Sequence, residues 1–255
     1  MKETACIGII PARYGSTRFP GKPLIPIMGK TLIQRTYENT KSCPLFSSVV
    51  VATDDDRIFN HVKEFGGEAV MTCSQCATGS DRLAEAYKKH FHNQAVDIIV
   101  NVQGDEPCLD PSVIQNIIEV LRSDPVAVMS TAIVKIHSEE EALNPSVVKC
   151  VIDSNHNALY FSRSLIPGNK SGKYDPNATY FKHLGIYAYR PDFLLKYTTL
   201  MKTPLQIAED LEQLKVLEHG YRLKTAIVET HCVGVDTPED IQKVEKILCK
   251  QNTFL

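Results

Sequence analysis

The chain has 255 residues, of which 43% are apolar, and a formal net charge of −2 at pH 7. It is long enough to bury a hydrophobic core, as one large domain or two small ones. Its charge gives no overall attraction to nucleic acids or acidic membranes, so any anion binding must be local. The first apolar run is too short for a secretion signal, and no segment approaches the roughly 18 apolar residues of a membrane helix. We therefore expect a cytoplasmic protein.

Apolar runs alternate with amphipathic segments through the first half of the sequence. We predict strands at 5–10, 47–53, 68–72 and 96–103, and helices at 31–42, 55–67, 79–90 and 110–123. This alternation is typical of a parallel sheet covered on both faces. Ligands of such sheets bind beyond the carboxyl ends of the strands. The segments that follow the first and fourth predicted strands are therefore expected to share one cleft.

The pattern changes after about residue 125. Turn-separated strands are predicted at 125–136, 147–153, 157–164 and 180–190, which indicates a more antiparallel insertion. We treat residues 1–255 as a single domain with a substrate-covering or dimerising lobe at roughly 130–205. One amphipathic helix is predicted at 205–219, then a strand at 223–230 and a closing helix at 237–250 that begins with a Thr-x-x-Asp cap.

Positive charge and glycine are concentrated in the loop after the first strand, "PARYGSTRFPGKPL". Arg13, Arg18 and Lys22 supply the charge, while Gly15 and Gly21 let the backbone approach a ligand. Arginine forks match phosphate oxygens and lysine acts as a point charge. The loop therefore predicts a polyphosphate-binding site, with a solvated basic loop as the alternative. Neither the P-loop pattern nor GxGxxG is present.

Two carboxylates follow apolar stretches at the predicted cleft. Asp105 lies in "QGDEP" and Asp236 in "GVDTPED". A bound polyphosphate needs a hard cation, and such cations prefer carboxylate oxygens. We predict that the two residues hold Mg²⁺ together. Helix capping is the alternative for Asp236, and it is the expected role of Glu106 and Asp110.

Other polar motifs could bind the rest of a substrate. In "TGSDR", Gly79 and Ser80 could contact a base or ribose beside Arg82; alternatively, Thr78 or Ser80 caps the helix and Arg82 is solvated. Strand periodicity places His183, Gly185 and Tyr187 of "HLGIY" on one face. With Arg163 of "FSRS", and Glu209, Glu212 or Gln213, they could bind a polyhydroxylated acid. A core histidine and solvated glutamates are the alternative.

The eight cysteines include one closely spaced pair, Cys73 and Cys76 in "CSQC". A structural zinc site needs two further ligands, and no second such pair is present, so we expect reduced thiols. The pair adjoins the "TGSDR" motif. We hypothesise that modification of these thiols affects activity, which treatment with an alkylating agent would test.

Taken in order, eight motifs resemble one family. They are "PARYGSTRFPGKPL", "VATDD", "TGSDRLAEA", "VNVQGDEP", "ALYFSRSLIP", "HLGIYAYR", "LEQLKVLEHG" and "GVDTPEDI". The sequence is similar to the 3-deoxy-manno-octulosonate cytidylyltransferases, or CMP-Kdo synthetases, from about residue 5 to residue 245. It departs from many relatives at Gly15, Phe19 and Gln206, and at the "CSQC" segment.

The resemblance implies an α/β, Rossmann-like nucleotidyltransferase with a mostly parallel sheet and a smaller mixed α/β lobe. It also implies Mg²⁺-dependent transfer of CMP from CTP to Kdo, a cytoplasmic homodimer and a role in lipopolysaccharide synthesis. By the same resemblance, Arg13 and Lys22 hold the triphosphate and Asp105 and Asp236 bind Mg²⁺. The nucleotide contacts are Ala12, Gly79, Ser80, Arg82 and Gln103, and the sugar contacts are Gln103, Arg163, His183, Tyr187 and Glu212.

Three other functions remain as alternatives. The acceptor could be another acid sugar, such as a sialic acid or an amino-substituted Kdo. A nicotinamide-dependent dehydrogenase would use Asp54 to bind a ribose, but the absence of GxGxxG disfavours it. A non-catalytic nucleotide-sugar sensor would bind CTP without releasing pyrophosphate, and the presence of both Asp105 and Asp236 disfavours that reading.

Overall fold

The computed structural model describes residues 5–15, 19–230 and 234–252. Its strands are β1 (Ala5–Ala12), β2 (Pro26–Ile27), β3 (Lys30–Thr31), β4 (Phe46–Thr53), β5 (Ala69–Met71), β6 (Val96–Asn101), β7 (Met129–Lys135), β8 (Lys149–Ile152), β9 (Ala158–Ser162), β10 (Phe181–Tyr189) and β11 (Leu223–Ile227). Its helices are α1 (Leu32–Lys41), α2 (Asp56–Glu64), α3 (Gly79–His90), α4 (Pro111–Ser123), α5 (Glu139–Leu143), α6 (Pro191–Tyr197), α7 (Pro204–Glu209), α8 (Leu214–Glu218) and α9 (Pro238–Asn252). A short 3-10 turn covers Lys22–Leu24. Arg18 and Cys232 lie outside the described residues.

The chain divides into two compact units. One contains the described parts of residues 1–115 and 231–255, and the other contains residues 116–230. The lobe expected at roughly 130–205 falls within the second unit. Among the described residues, no helix has both the length and the apolar character needed to cross a membrane.

The first unit is built on a parallel sheet in the order β6-β1-β4-β5. Its central strands are buried along most of their length, as the continuous apolar runs predicted. Ile9 of β1 pairs with Asn101, the last residue of β6, and the parallel β1 runs on in the same direction to Ala12. The loop after β1 and the "QGDEP" segment after β6 therefore start at the same edge of the sheet.

Polar side chains start the helices of this unit directly after strands or turns. Thr31 caps α1, Asp55 caps α2, and Thr78 caps α3, each by accepting a hydrogen bond from a backbone N–H in the first turn. Asp110 does the same for the N–H of Ser112 at the start of α4. These caps satisfy N–H groups that have no partner within the helix, and they fix where the loops at the sheet edge end.

The second unit contains a mixed sheet in the order β11-β7-β10-β8-β9. Only the pairing of β11 with β7 is parallel, which confirms the expected change to antiparallel strands after the first half. The register of β10 against β7 shifts between Leu184 and Tyr187. The short helices α5 and α6 were not predicted, because each is too brief to show helical periodicity.

The prediction of a single helix at 205–219 is wrong. The chain forms α7 and α8 instead, and between them Asp210 adopts a left-handed conformation with φ 53°. Apolar positions continue across the break, since Leu211, Leu214 and Val216 are all buried, so hydrophobic periodicity does not reveal it. Aspartate tolerates this conformation better than most residues. The break leaves backbone carbonyls of Glu209 and Asp210 available to other partners.

Candidate active site

Lys22 joins two distant carboxylates in the first unit. Its Nζ lies 2.7 Å from Oδ2 of Asp105 and 3.5 Å from Oδ1 of Asp236. It also donates a hydrogen bond to the carbonyl of Val235, at 2.8 Å. The lysine side chain is only 15% exposed, so this ion pair is partly shielded from water. The structure thus brings together three residues that the sequence predicted to share one cleft.

Two glycines allow this convergence. Gly21 precedes the turn that carries Lys22 and has φ 71°, a left-handed conformation that L side chains rarely adopt. Gly104 passes so close to β1 that a Cβ atom there would lie 2.9 Å from the carbonyl oxygen of Pro11. Glycine at position 104 therefore lets Asp105 approach the end of the neighbouring strand.

An apolar cluster holds Asp236 near the lysine. Val235 and Val244 are buried with Ile27 and Leu32, and Phe19 packs against them. The Val235 N–H also donates to the carbonyl of Asp105, at 2.9 Å. The start of α9 follows immediately, where the Asp240 carboxylate accepts hydrogen bonds from the N–H groups of Asp236 and Thr237. Because Asp240 performs the capping, the Asp236 carboxylate is left for Lys22 and for a ligand.

Glu106 belongs to the same electrostatic environment. Burial, together with the negative charges of Asp105 and Asp236, raises the pKa of Glu106 to about 7. The sequence assigned this residue to helix capping, a role that Asp110 fills instead. Sequence spacing does not reveal the proximity of Glu106 to Asp236, because that proximity depends on the fold of the closing segment.

Arg13 contacts the segment that contains the cysteine pair. Its Nη2 donates to the carbonyl of Cys76, at 2.8 Å, and the arginine remains exposed, with further N–H donors on the same guanidinium. The Cys76 thiol donates to Glu85, and burial, followed by that hydrogen bond, raises the pKa of Cys76 to about 11. Cys73 is the exposed member of the pair and the better target for an alkylating agent. Within the described parts of the chain, no group of three or more His, Cys, Asp or Glu residues is arranged to hold a metal ion.

The predicted nucleotide contacts occupy the end of β1 and the start of α3. Ala12 is buried at the end of β1, and Gly79 and Ser80 are the first two residues of α3. Thr78 caps that helix through a reciprocal capping box with Asp81, so the capping interpretation is correct for Thr78.

Arg82 is fully buried, and so it is not solvated as the alternative interpretation required. Its Nη1 donates to the Thr72 hydroxyl, at 2.5 Å, and its Nη2 lies 3.3 Å from Oδ2 of Asp54. These contacts tie α3 to the segments that follow β4 and β5. They also engage Asp54, the residue that a dehydrogenase would have used to bind a ribose.

In the second unit, Arg163 is anchored by the break between α7 and α8. Its Nε donates to the Glu209 carbonyl, at 2.9 Å, and its Nη2 to the Asp210 carbonyl, at 3.4 Å. The Glu209 carboxylate accepts hydrogen bonds from the Ser162 hydroxyl and the Arg163 N–H, at 2.6 and 2.9 Å. Burial alone would raise the pKa of Glu209, but these hydrogen bonds lower it overall. Buried Lys149 completes the anchor by donating to the Arg163 carbonyl.

His183 and Tyr187 lie on one face of β10, as predicted. They pair with Ile133 and Thr131, two positions apart on β7, and their ring centroids are 5.4 Å apart. The Thr131 hydroxyl lies 3.0 Å from Nε2 of His183 and contacts backbone carbonyls where the register shifts. Burial lowers the pKa of His183 to about 3, so its imidazole is neutral at physiological pH.

The other predicted sugar contacts differ in exposure. Glu212 is exposed. The pKa of Tyr187 is raised first by burial, then by Tyr189 and then by the negative charge of Glu212, so Glu212 lies near the Tyr187 phenol. Gln213 is buried. Gln103 is half-buried two residues beyond the end of β6, in the first unit. Sequence reasoning offered Glu209 as one of three candidate sugar contacts, and its role as the anchor of Arg163 appears only when the helix break is seen.

The first unit is thus a parallel α/β sheet with two cations and two carboxylates beyond its strand ends, an arrangement that is typical of nucleotide-binding proteins. A family model described as cytidylyltransferase matches residues 7–229. A 3-deoxy-manno-octulosonate cytidylyltransferase from Protochlamydia amoebophila is 59% identical over 249 residues, which cover 98% of this chain and 96% of that protein.

Solved structures agree with this assignment. A CMP:2-keto-3-deoxy-manno-octonic acid synthetase complexed with CTP has a TM-score of 0.90 and 40% identity, covering 97% of this chain and 100% of that one. A 4-diphosphocytidyl-2C-methyl-D-erythritol synthase from Anaerococcus prevotii shares only the fold, with a TM-score of 0.65 and 14% identity over 96% of each chain. The chain belongs to the cytidylyltransferase family and, within it, to the 3-deoxy-manno-octulosonate cytidylyltransferases.

Proposed function

We propose that this protein activates 3-deoxy-D-manno-octulosonate (Kdo) by transferring CMP from CTP, with release of pyrophosphate. The observation that carries the proposal is the convergence of Lys22, Asp105 and Asp236 from three separate segments at one end of a parallel sheet. The named relatives supply the identity of the nucleotide and the sugar. In the reaction, the anomeric hydroxyl of Kdo attacks the α-phosphorus of CTP.

The pair of carboxylates fits a magnesium ion by its donor chemistry. Asp105 and Asp236 each place one oxygen within 3.5 Å of the same ammonium group, so the two carboxylates lie on one side of the unit, close to each other. Magnesium sites in nucleotide enzymes commonly use one or two carboxylates and complete the coordination with substrate phosphates and water. When bound between these residues, Mg²⁺ would offset phosphate charge and help to orient the α-phosphate.

Lys22 and Arg13 perform the phosphate binding. Lys22 lies beside the two carboxylates, and its ammonium group has donors that suit phosphate oxygens. Arg13 keeps N–H donors beyond the one that binds the Cys76 carbonyl. Positive groups held near the leaving pyrophosphate stabilise the charge that develops on it.

The polar groups of the second unit are suited to an acid sugar. Arg163 supplies a cation for a carboxylate, and neutral His183 and Tyr187 supply polar atoms for hydroxyls. Because His183 stays neutral, one ring nitrogen carries a proton and the other can accept one. Gln103 and Glu212 are the further proposed sugar contacts.

Pyrophosphate release in the presence of CTP and Mg²⁺ tests the reaction, with Kdo, N-acetylneuraminate or no acceptor. Release with Kdo alone is the expected result. Pyrophosphate release only with another acid sugar would change the proposed acceptor but not the proposed reaction. CTP binding without pyrophosphate release in the presence of any acceptor would favour a non-catalytic sensor.

The carboxylate assignment has its own test. Asp105→Asn and Asp236→Asn should each abolish turnover and weaken Mg²⁺-dependent CTP binding measured by calorimetry, while the unfolding curve stays cooperative. Asp192→Asn, at an exposed carboxylate in the first turn of α6, is the matched control and should behave as the wild type. Near-normal turnover in either active-site variant would remove that residue from the magnesium site.

A further inference from the structure

An arginine outside the proposed phosphate-binding residues contacts the loop that carries them. Arg57 is the second residue of α2, and the central carbon of its guanidinium lies 3.3 Å from the centre of the Tyr14 ring. A guanidinium at this distance stacks against the electron-rich face of the ring. The arginine side chain is 59% exposed, so burial alone does not explain why it takes this position.

The orientation of Arg57 is fixed by Asp55. The Nε and Nη2 atoms of Arg57 donate to the two oxygens of that carboxylate, at 3.0 and 2.7 Å. Asp55 is itself held as the cap of α2, where it accepts the backbone N–H of Arg57. The position of Asp55 is therefore fixed by the helix, and its two hydrogen bonds fix the plane of the Arg57 guanidinium. In this orientation the flat face of the guanidinium is directed at Tyr14.

Tyr14 connects the two cations of the phosphate-binding loop. Its carbonyl accepts the N–H of Gly21, at 2.9 Å, and its ring covers Gly21 so closely that a Cβ there would lie 3.2 Å from the phenol. Arg13 precedes Tyr14 and Lys22 follows Gly21. The contact between Tyr14 and Gly21 therefore sets the separation of Arg13 and Lys22, and it lies entirely within described residues.

We propose that Arg57 is a positioning residue that holds Tyr14, and through it Arg13 and Lys22, in the arrangement that binds the triphosphate. The proposal rests on the proposed function, since it assumes that these two cations bind CTP. The Arg57 guanidinium stacks on the Tyr14 ring and binds Asp55 at the same time. Its effect on the position of Tyr14 therefore depends on the planar shape of the guanidinium and not on its charge alone. Lysine at this position keeps the charge but cannot form the fork and the stack together.

Four variants and a control separate positioning from direct contact. Arg57→Ala and Tyr14→Leu should each raise the Kd for CTP, measured by calorimetry with Mg²⁺ and no sugar, about two- to fivefold. Arg57→Lys should resemble Arg57→Ala, and Tyr14→Phe should resemble the wild type because it keeps the ring. Lys63→Ala is the control, since Lys63 lies on the same helix with its Nζ 5.9 Å from the Phe59 ring.

The double variant of Arg57→Ala and Tyr14→Leu should bind CTP no more weakly than the weaker single variant, because both remove one interaction. The KM for Kdo should stay unchanged in all of them. If Arg57→Lys binds CTP with wild-type affinity while Arg57→Ala binds it more weakly, the proposal is overturned, because the charge of Arg57 would then act directly on the triphosphate. Additive losses, or no loss in Arg57→Ala, would also overturn it. Lys22→Ala in the same assay tests the proposed function separately, since unchanged CTP affinity there would remove the phosphate-binding role itself.

Discussion

At the scale of single residues, Gly21 has a strict steric requirement in the loop between β1 and the 3-10 turn at Lys22–Leu24. Its φ of 71° and the Tyr14 ring 3.2 Å from an added Cβ both disfavour a side chain. Gly21→Ala should lower the free energy of unfolding by about 1–2 kcal/mol through the left-handed conformation, and it should raise the KM for CTP by shifting Lys22. Urea unfolding and initial rates measure the two effects.

Gly15→Ala is the control for that substitution. Gly15 lies in the same loop, and among the described residues no atom beyond its chain neighbours lies within 4 Å of a Cβ built there. Stability and CTP affinity should therefore stay close to the wild-type values. If the two alanine variants behave alike, the loop adapts to a side chain and the steric argument about Gly21 is wrong.

The lowered pKa of His183 predicts that the free energy of unfolding depends on pH. Its folded pKa of about 3 lies below the ordinary value of 6.5, so the unfolded chain binds the proton more readily between these values. The contribution of His183 is fully present above about pH 6.5 and is lost as the pH falls toward 3. His183→Gln should flatten this part of the curve of unfolding free energy against pH. Urea unfolding at several pH values between 7.5 and 4.5 measures it, and an unchanged slope in His183→Gln would contradict the prediction.

At the scale of elements, the break between α7 and α8 has a function that neither helix has alone. It presents two carbonyls to the Arg163 guanidinium, while Glu209 binds the backbone of the same arginine. Glu209→Gln would place an amide N–H where the Arg163 N–H or the Ser162 hydroxyl needs an acceptor. We expect a loss of about 1–3 kcal/mol in stability and a higher KM for Kdo with an unchanged KM for CTP.

Urea unfolding and initial rates with each substrate varied in turn check that expectation. Glu140→Gln, at an exposed position of α5, is the matched control. A rise in the KM for CTP alone would show that Arg163 does not serve the sugar. Unchanged stability would show that the carboxylate does not anchor the break.

For the whole molecule, the sequence predicts best what depends on local pattern. The strands of the first unit and the caps at Thr78 and Asp110 follow from apolar runs and polar residues next to them. The proximity of Lys22 and Asp105 was predictable because parallel strands end at one edge. Among the described residues, Asp236 does not directly follow a strand, and its place beside Lys22 depends on the packing of Val235. The burial of Arg82 and the role of Glu209 were not, because each depends on partners brought close only by the fold.

The distribution of exposed apolar side chains bears on the expected homodimer. Large apolar residues that remain exposed occur mainly in the second unit: Val126, Leu143, Leu159, Met201, Leu205, Ile207 and Ile227. Met201 and Ile207 are 78% and 66% exposed and lie just before and within α7. Clustered exposed apolar side chains are typical of interaction surfaces. We therefore predict that the surface around Met201 and Ile207 contributes to self-association.

Sedimentation velocity over a range of protein concentrations tests this prediction. The wild type should sediment as a dimer, and the double variant Met201→Lys, Ile207→Lys should shift toward the monomer, because burying two lysines without partners is costly. Val126→Lys is the control, since Val126 is 62% exposed in the same unit but lies between α4 and β7. A dimer that persists in the double variant would move the interface elsewhere, and a monomeric wild type would make the dimer expectation wrong. If pyrophosphate release falls in proportion to the monomer fraction, self-association is required for turnover.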